Sequence, residues 1–186
     1  MPCPNARRQE QAQSGFFSRK RGPWMSQTVK AIYPGTFDPL TLGHENIIVR
    51  SAQMFDRVIL AVAHAHHKKT LLTLPQRIEL AQIALKDHPN IEVIGFEGLV
   101  KDFALEQGAK VMIRGVRSMT DFDYESQLAG MNRLLAPELE TIFLTPEPQF
   151  QSLSSTLIRE IASLGGEVSQ WVSAPIDLAL REKFKA

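Results

Sequence analysis

The chain has almost no cysteine. Its 186 residues hold one, Cys3, and none follows it. A disulfide framework and a thiolate metal site are therefore excluded from residues 25–186, a usage that suits the cytosol. No apolar run reaches membrane-spanning length, and the N-terminal residues lack the apolar stretch of a secretory signal. An excess of one charge is missing too. The 21 basic and 20 acidic residues leave a formal net charge of +1, which excludes a global pull towards nucleic acid or a membrane surface. Neither GxGxxG nor GxxxxGK[ST] occurs, so two common phosphate-binding fingerprints, and with them a dehydrogenase or kinase reading, lose support.

The charge that is present lies unevenly. Residues 1–24 carry Arg7, Arg8, Arg19, Lys20 and Arg21 against Glu10 alone, so the remainder is mildly acidic. Residues 1–24 read as a disordered extension. Met25-Ser26-Gln27 reads as a natural start, because an apolar run follows directly. An upstream start or added residues account for the extension; an Arg-rich but Ser-poor transit peptide fits it less well. Residues 25–186 read as a single domain, with no repeat or linker to divide them. An acidic domain that binds a polyanion must concentrate its cations locally.

Two hydrophobic periods alternate from Val29 onward. Short apolar runs predict strands at Val29–Tyr33, Val58–Ala63, Ile91–Ile94, Val111–Ile113 and Thr141–Leu144. Helical spacing predicts helices at His44–Phe55, Leu74–Leu85, Leu99–Glu106, Asp121–Leu135, Ser154–Ser163 and Ile176–Phe184. The run VILAVA at 58–63 is that of a strand covered on both faces. This alternation implies an α/β class: a doubly wound, five-stranded parallel sheet with right-handed crossovers. Ligands of such sheets sit beyond the carboxyl ends of the strands, so the residues after each strand form the candidate site.

After the first strand comes Gly35-Thr36-Phe37-Asp38-Pro39, then Thr41-Leu42-Gly43-His44. Gly35 and Gly43 permit close backbone approach, the helix start offers free N–H groups to an anion, and Thr36 and His44 add side-chain donors. Taken singly, a Pro-Gly pair is usually a turn and a lone His usually a surface residue. After the fourth strand, Arg114 and Arg117 flank Gly115 and Val116. They are either a phosphate clamp or a surface pair. After the fifth, Ser154, Ser155 and Thr156 open a helix, either as plain N-caps or as a second anion site. After the second, His64, His66, His67 and Lys68 add cations; H-x-H-H there reads as solvated histidines before a metal site.

Together, GTFDP followed by TxGH, and the later SSTLIR, resemble the signatures of the nucleotidylyltransferase superfamily. The ordered runs AIYPGTFDP, IRGVR, DFDYE, MNR, PELET and LSSTLIRE narrow this to a resemblance to the phosphopantetheine adenylyltransferase family, from Lys30 to about Phe184. The resemblance implies a Rossmann-like nucleotidylyltransferase fold and transfer of AMP from ATP to 4′-phosphopantetheine, giving dephospho-coenzyme A and pyrophosphate. It implies that Thr36 and His44 meet the reacting phosphate. It implies ATP contacts at Phe37, Gly115, Val116, Arg117, Glu125 and the loop Phe150, Gln151, Ser152, Leu153, Ser154, Ser155 and Thr156. For phosphopantetheine it implies Thr36, Lys68, Val100 and Arg114. It further implies Mg²⁺, a homohexamer, feedback binding of coenzyme A and a cytoplasmic location, with no nucleic-acid or membrane partner and no protein-ligated metal. Two departures stand out: HAHHKK where the family more often has Asn or Ser-Pro before Lys, and Phe150 where it often has Trp.

Two other readings remain open: an adenylyl- or cytidylyltransferase for another phosphate monoester, and a non-catalytic nucleotide-binding module. The adenylyltransferase reading expects His44 and Arg117 to line one hollow large enough for a triphosphate, whereas a pure binder would have little need for His44. Deletion of residues 1–24 is expected to leave turnover unchanged in a steady-state assay; a loss of activity contradicts the reading of that segment.

Overall fold

The computed structural model describes residues 28–65 and 69–185. The proposed extension at 1–24, together with His66, His67 and Lys68, lies outside them. Five strands form one parallel sheet: β1 (Lys30–Gly35), β2 (Arg57–Ala63), β3 (Ile91–Phe96), β4 (Val111–Gly115) and β5 (Glu140–Leu144), in the order β3-β2-β1-β4-β5. The connections carry α1 (Leu42–Met54), α2 (Leu74–Ala84), α3 (Val100–Glu106) and α4 (Met119–Leu135). A 3₁₀ turn at Pro148–Phe150, then α5 (Ser155–Ser163) and α6 (Ala174–Phe184), complete the chain.

Side-chain alternation explains why VILAVA has no polar position. Val58, Leu60 and Val62 enter one core cluster with Tyr33, Ile48, Ile158 and Leu180. Ile59 and Ala61 enter another, with Ile32, Phe103, Met112 and Leu139. Both faces of the strand are therefore dry, as a doubly wound sheet requires. Helix starts are set locally. Thr73 accepts from the Gln76 amide while Gln76 reaches back to the Thr73 amide, closing a capping box at α2. Ser118 accepts from the Asp121 amide, so α4 starts at Met119, two residues before the expected Asp121.

β1 pairs with β2 along its full length, from Lys30↔Arg57 to Gly35↔Val62. It pairs with β4 only at Ala31↔Val111 and Ile32↔Met112. β4 meanwhile stays on β5 as far as Gly115↔Leu144. β1 and β4 thus part beyond Ile32, and a crevice opens where the strand order reverses, the usual ligand position in this class. The strand expected to end at Tyr33 continues through Pro34 and Gly35 because both still pair with β2. A proline is tolerated there because the ladder on the other side has ended.

A buried cation ties these strand ends together. Arg77 of α2 is 3% exposed. Its Nη1 donates to Thr36 O at 2.5 Å and to Ala63 O at 2.9 Å, and its Nε to Leu72 O at 3.3 Å. Burial pushes its pKa down from the ordinary value, and the Asp38 carboxylate opposes that shift. Arg77→Met is expected to destabilise the fold by about 2–4 kcal/mol, since it strands three carbonyls. Equilibrium urea unfolding measures this, and a change below about 0.5 kcal/mol, the range of a surface substitution, overturns the account.

Candidate active site

The crevice between β1 and β4 narrows to a hollow of about 50 Å³. Tyr33, Gly43, His44, Gly115, Arg117, Phe150 and Leu153 contribute to its walls. Of the residues expected at the site, it gathers His44, Gly115, Arg117, Phe150 and Leu153. It brings His44 and Arg117 together, and the space left between its walls is small. The reason is visible in the walls. The Tyr33 ring enters from β1, and Arg117 Nη1 donates to Leu153 O at 2.6 Å, drawing the loop after β5 inward.

His44 sits in the first turn of α1. Its Nδ1 accepts from the Thr41 amide at 3.1 Å and lies 2.9 Å from Thr41 Oγ1. An acceptor at Nδ1 puts the ring hydrogen on Nε2. Burial, assisted by the Arg117 charge, lowers the His44 pKa to about 4. The imidazole is therefore neutral at physiological pH and has one N–H to give. Phe37 stands perpendicular to it, with ring centroids 5.2 Å apart. Phe37 has a positive φ of 48°, a strained conformation for a bulky residue. Its ring lies over Gly35, where a Cβ would come within 2.8 Å of Phe37 Cζ. Burial also pushes the Tyr33 hydroxyl pKa upward, and a Cβ on Gly115 would stand 2.8 Å from that hydroxyl oxygen. The two glycines thus make room for two aromatic rings beside His44.

Arg117 is oriented from behind. Its Nε donates to Asp121 Oδ2 at 3.0 Å, and its backbone N–H reaches the same oxygen at 3.2 Å. Arg114 Nε lies 3.2 Å from Glu125 Oε2. Both atoms are buried and not aligned for a hydrogen bond, so this pair is held by charge. Arg114 and Glu125, expected on different substrates, here face each other. Val116 is buried and donates its N–H to Leu144 O.

The hydroxyl row divides its labour. Ser154 caps α5 by accepting from the Leu157 amide at 3.1 Å. Ser155 Oγ donates to Pro39 O at 2.7 Å. Thr156 is exposed, and its Oγ1 accepts from Arg159 Nη2 at 3.4 Å. Two of the three hydroxyls are thus structural, which leaves Thr156 and the helix start to meet an anion. Gln151 and Ser152 are exposed. Thr36 is half-buried, with its carbonyl on Arg77. Val100 opens α3 against the second cluster. His64 Nδ1 lies 4.0 Å from Glu97 Oε1. Among the described residues no group of three or more His, Cys, Asp or Glu could hold a metal ion.

Sequence reading missed Tyr33, Thr41, Asp38 and Arg77. Asp38 is 3% exposed, and its carboxylate accepts from the Leu71 and Leu72 amides at 2.8 and 2.9 Å. A charged residue in a turn-like GTFDP run gives no signal of burial. Thr41, before an apolar-periodic segment, carried an N-cap signal.

The model of the cytidylyltransferase-like family matches residues 32–161. The phosphopantetheine adenylyltransferase of Acidovorax sp. strain JS42 is 59% identical over 156 residues, 84% of this chain and 94% of that protein. That of Bordetella avium strain 197N is 49% identical over 158 residues, 85% and 95% of the two chains. A solved structure of a bifunctional NMN adenylyltransferase/ADP ribose pyrophosphatase from Francisella tularensis superposes with a TM-score of 0.67. It is 13% identical and covers 86% of this chain and 51% of that one, a likeness of fold alone. With a crevice at the strand-order reversal, a neutral histidine in the first turn of α1 and relatives of this identity along most of its length, the chain belongs to the phosphopantetheine adenylyltransferase family.

Proposed function

We propose that the chain transfers the AMP of ATP to 4′-phosphopantetheine, forming dephospho-coenzyme A and pyrophosphate in coenzyme A synthesis. The observation that carries the reading is the neutral His44, its Nδ1 fixed by Thr41, beside Arg117 in the β1–β4 crevice. A phosphate-monoester oxygen of the acceptor forms a bond to the α-phosphorus of ATP. The bond from that phosphorus to the pyrophosphate oxygen breaks, and its electron pair leaves with pyrophosphate. The acceptor phosphate, with a second pKa of about 6, is mostly dianionic at neutral pH and needs no general base. The obstacle is that two polyanions must meet. Catalysis is then positioning and charge stabilisation. His44 Nε2–H donates to the oxygens of the transferring phosphorus, Arg117 holds the nucleotide, and Thr36, Lys68 and Arg114 hold the acceptor phosphate.

Mg²⁺ on the nucleotide would neutralise the leaving pyrophosphate. The hollow offers N–H donors and no carboxylate, so it suits an ion carried in on phosphate oxygens. No side chain here is proposed as its ligand. A homohexamer is supported by α4, which buries no residue and exposes Met119 by 74% and Leu134 by 78%. Such an apolar face fits burial against another copy. Feedback by coenzyme A follows if its pantetheine arm uses the acceptor side. Among the described residues no helix is long and apolar enough to cross a membrane, and a cytoplasmic location is part of the proposal.

Pyrophosphate release from ATP and 4′-phosphopantetheine tests the activity; ATP binding without release against a panel of phosphate monoesters would defeat it. His44→Ala should lower kcat by about 10²–10³ with ATP binding retained. Arg117→Ala should chiefly raise the KM for ATP and Arg114→Ala that for the acceptor, and the opposite pattern would mean the two subsites are exchanged.

The pH dependence follows from the same geometry. The His44 pKa is depressed, so the free enzyme keeps this donor neutral until pH falls towards about 4. The acceptor phosphate takes up its proton at about 6. The acid limb of kcat/KM, which reports free enzyme and free substrate, should therefore fall near pH ~6 and persist in His44→Gln. A limb that vanishes in that variant would assign it to the histidine instead.

A further inference from the structure

Asp38 carries two kinds of partner on two different elements. Its side-chain oxygens take the amides of Leu71 and Leu72, in the segment between β2 and α2. Its backbone carbonyl accepts a hydrogen bond from Arg159 Nη1 of α5, and Oδ2 lies 3.4 Å from the same nitrogen. Asp38 is buried and the Arg159 side chain is mostly so, 30% exposed. One residue further on, Pro39 O receives Ser155 Oγ from the start of α5. The run Asp38-Pro39 is thus clamped between α5, whose first turn presents Thr156, and Lys69–Leu72 beyond the carboxyl end of β2. Arg77 fixes the other end of the run by holding Thr36 O.

We propose that Asp38 and Arg159 form a positioning pair that couples the two substrate sides across the crevice. The inference rests on the proposed adenylyl transfer, in which α5 serves the nucleotide and the segment after β2 borders the acceptor. The two reacting groups repel, and nothing in either ligand sets their separation. A part-buried, charge-assisted tie between the elements that hold them sets it, and a misplacement of about 1 Å costs on the order of 10²-fold in rate. Neither side chain needs to touch substrate. An effect introduced at Arg159, on the nucleotide side, is therefore read on the acceptor side.

Three single variants, Arg159→Met, Arg159→Lys and Asp38→Asn, and one double variant test this. Amide hydrogen exchange of the free protein comes first. Arg159→Met should speed exchange at Leu71 and Leu72 by about 3–30-fold, the span of ordinary coupling energies. The same variant should raise the KM for 4′-phosphopantetheine by a similar factor and lower kcat, with Arg159→Lys recovering part of both. Asp38→Asn combined with Arg159→Met should be no worse than the poorer single variant. Unchanged exchange at 71 and 72 overturns the mechanical link. Faster exchange with an unmoved acceptor KM, or effects confined to the KM for ATP, overturns the positioning role. If Asp38→Asn does not fold, the Arg159 pair with its lysine rescue still decides. A wild-type protein that releases no pyrophosphate from these substrates defeats the proposed reaction, and the exchange result shows separately whether the link exists.

Discussion

Two buried charges at the carboxyl edge of the sheet set the geometry on which everything else depends. Asp38 and Arg77 are each 3% exposed, and each is paid for by hydrogen bonds to backbone. A buried ion without such partners would be strongly destabilising. With them, the cost of burial becomes directional: the loop after β1 has one low-energy position relative to the ends of β2, α2 and α5. The strands alone could not achieve this, since β1 and β4 separate beyond Ile32 and leave that loop without a ladder on one side.

The chemistry of the crevice follows from that rigidity. Bringing a phosphate monoester to a triphosphate is opposed by charge, and free cations would bind both ions without ordering them. The crevice instead offers a neutral donor of fixed tautomer, a guanidinium aimed by Asp121 and a helix start. Neutrality of His44 comes from burial and from the nearby Arg117. Its orientation comes from the Thr41 amide. The small size of the hollow belongs to the same arrangement, because Arg117 is already bonded to Leu153 O. On the proposed reading, a nucleotide held by Arg117 would part that contact, exchanging a carbonyl for phosphate oxygens, which are stronger acceptors for a guanidinium.

α4 shows a different economy. Its N-terminal turn orients Arg117 through Asp121 and its body pairs Glu125 with Arg114, yet no residue along it is buried. Helical propensity rarely sustains a helix without an apolar face packed on something. The exposed methionines and leucines on α4 are the surface that such packing would use. Subunit association, where it occurs, would thus act on the same helix that aims two of the site's arginines.

Much of the architecture was legible in the chain. Strand and helix identity follow from periodicity, and the helix start at Ser154 from a cap whose partner is three residues away; such signals survive in one dimension because their partners are sequence neighbours. GTFDP, TxGH and IRGVR could be placed at the ligand edge because a parallel sheet puts every strand end there. What the chain alone could not reveal lies at long range. The Pro34-Gly35 break became strand through pairing with β2, two of three hydroxyls turned structural, and Tyr33 filled the crevice. The Asp38 amide partners lie 33 and 34 residues away and Arg159 lies 121 away. Composition and local pattern determined which elements form and which face water. Only the folded structure decided which charges share a buried volume, because that depends on distances in space that separation along the chain does not encode.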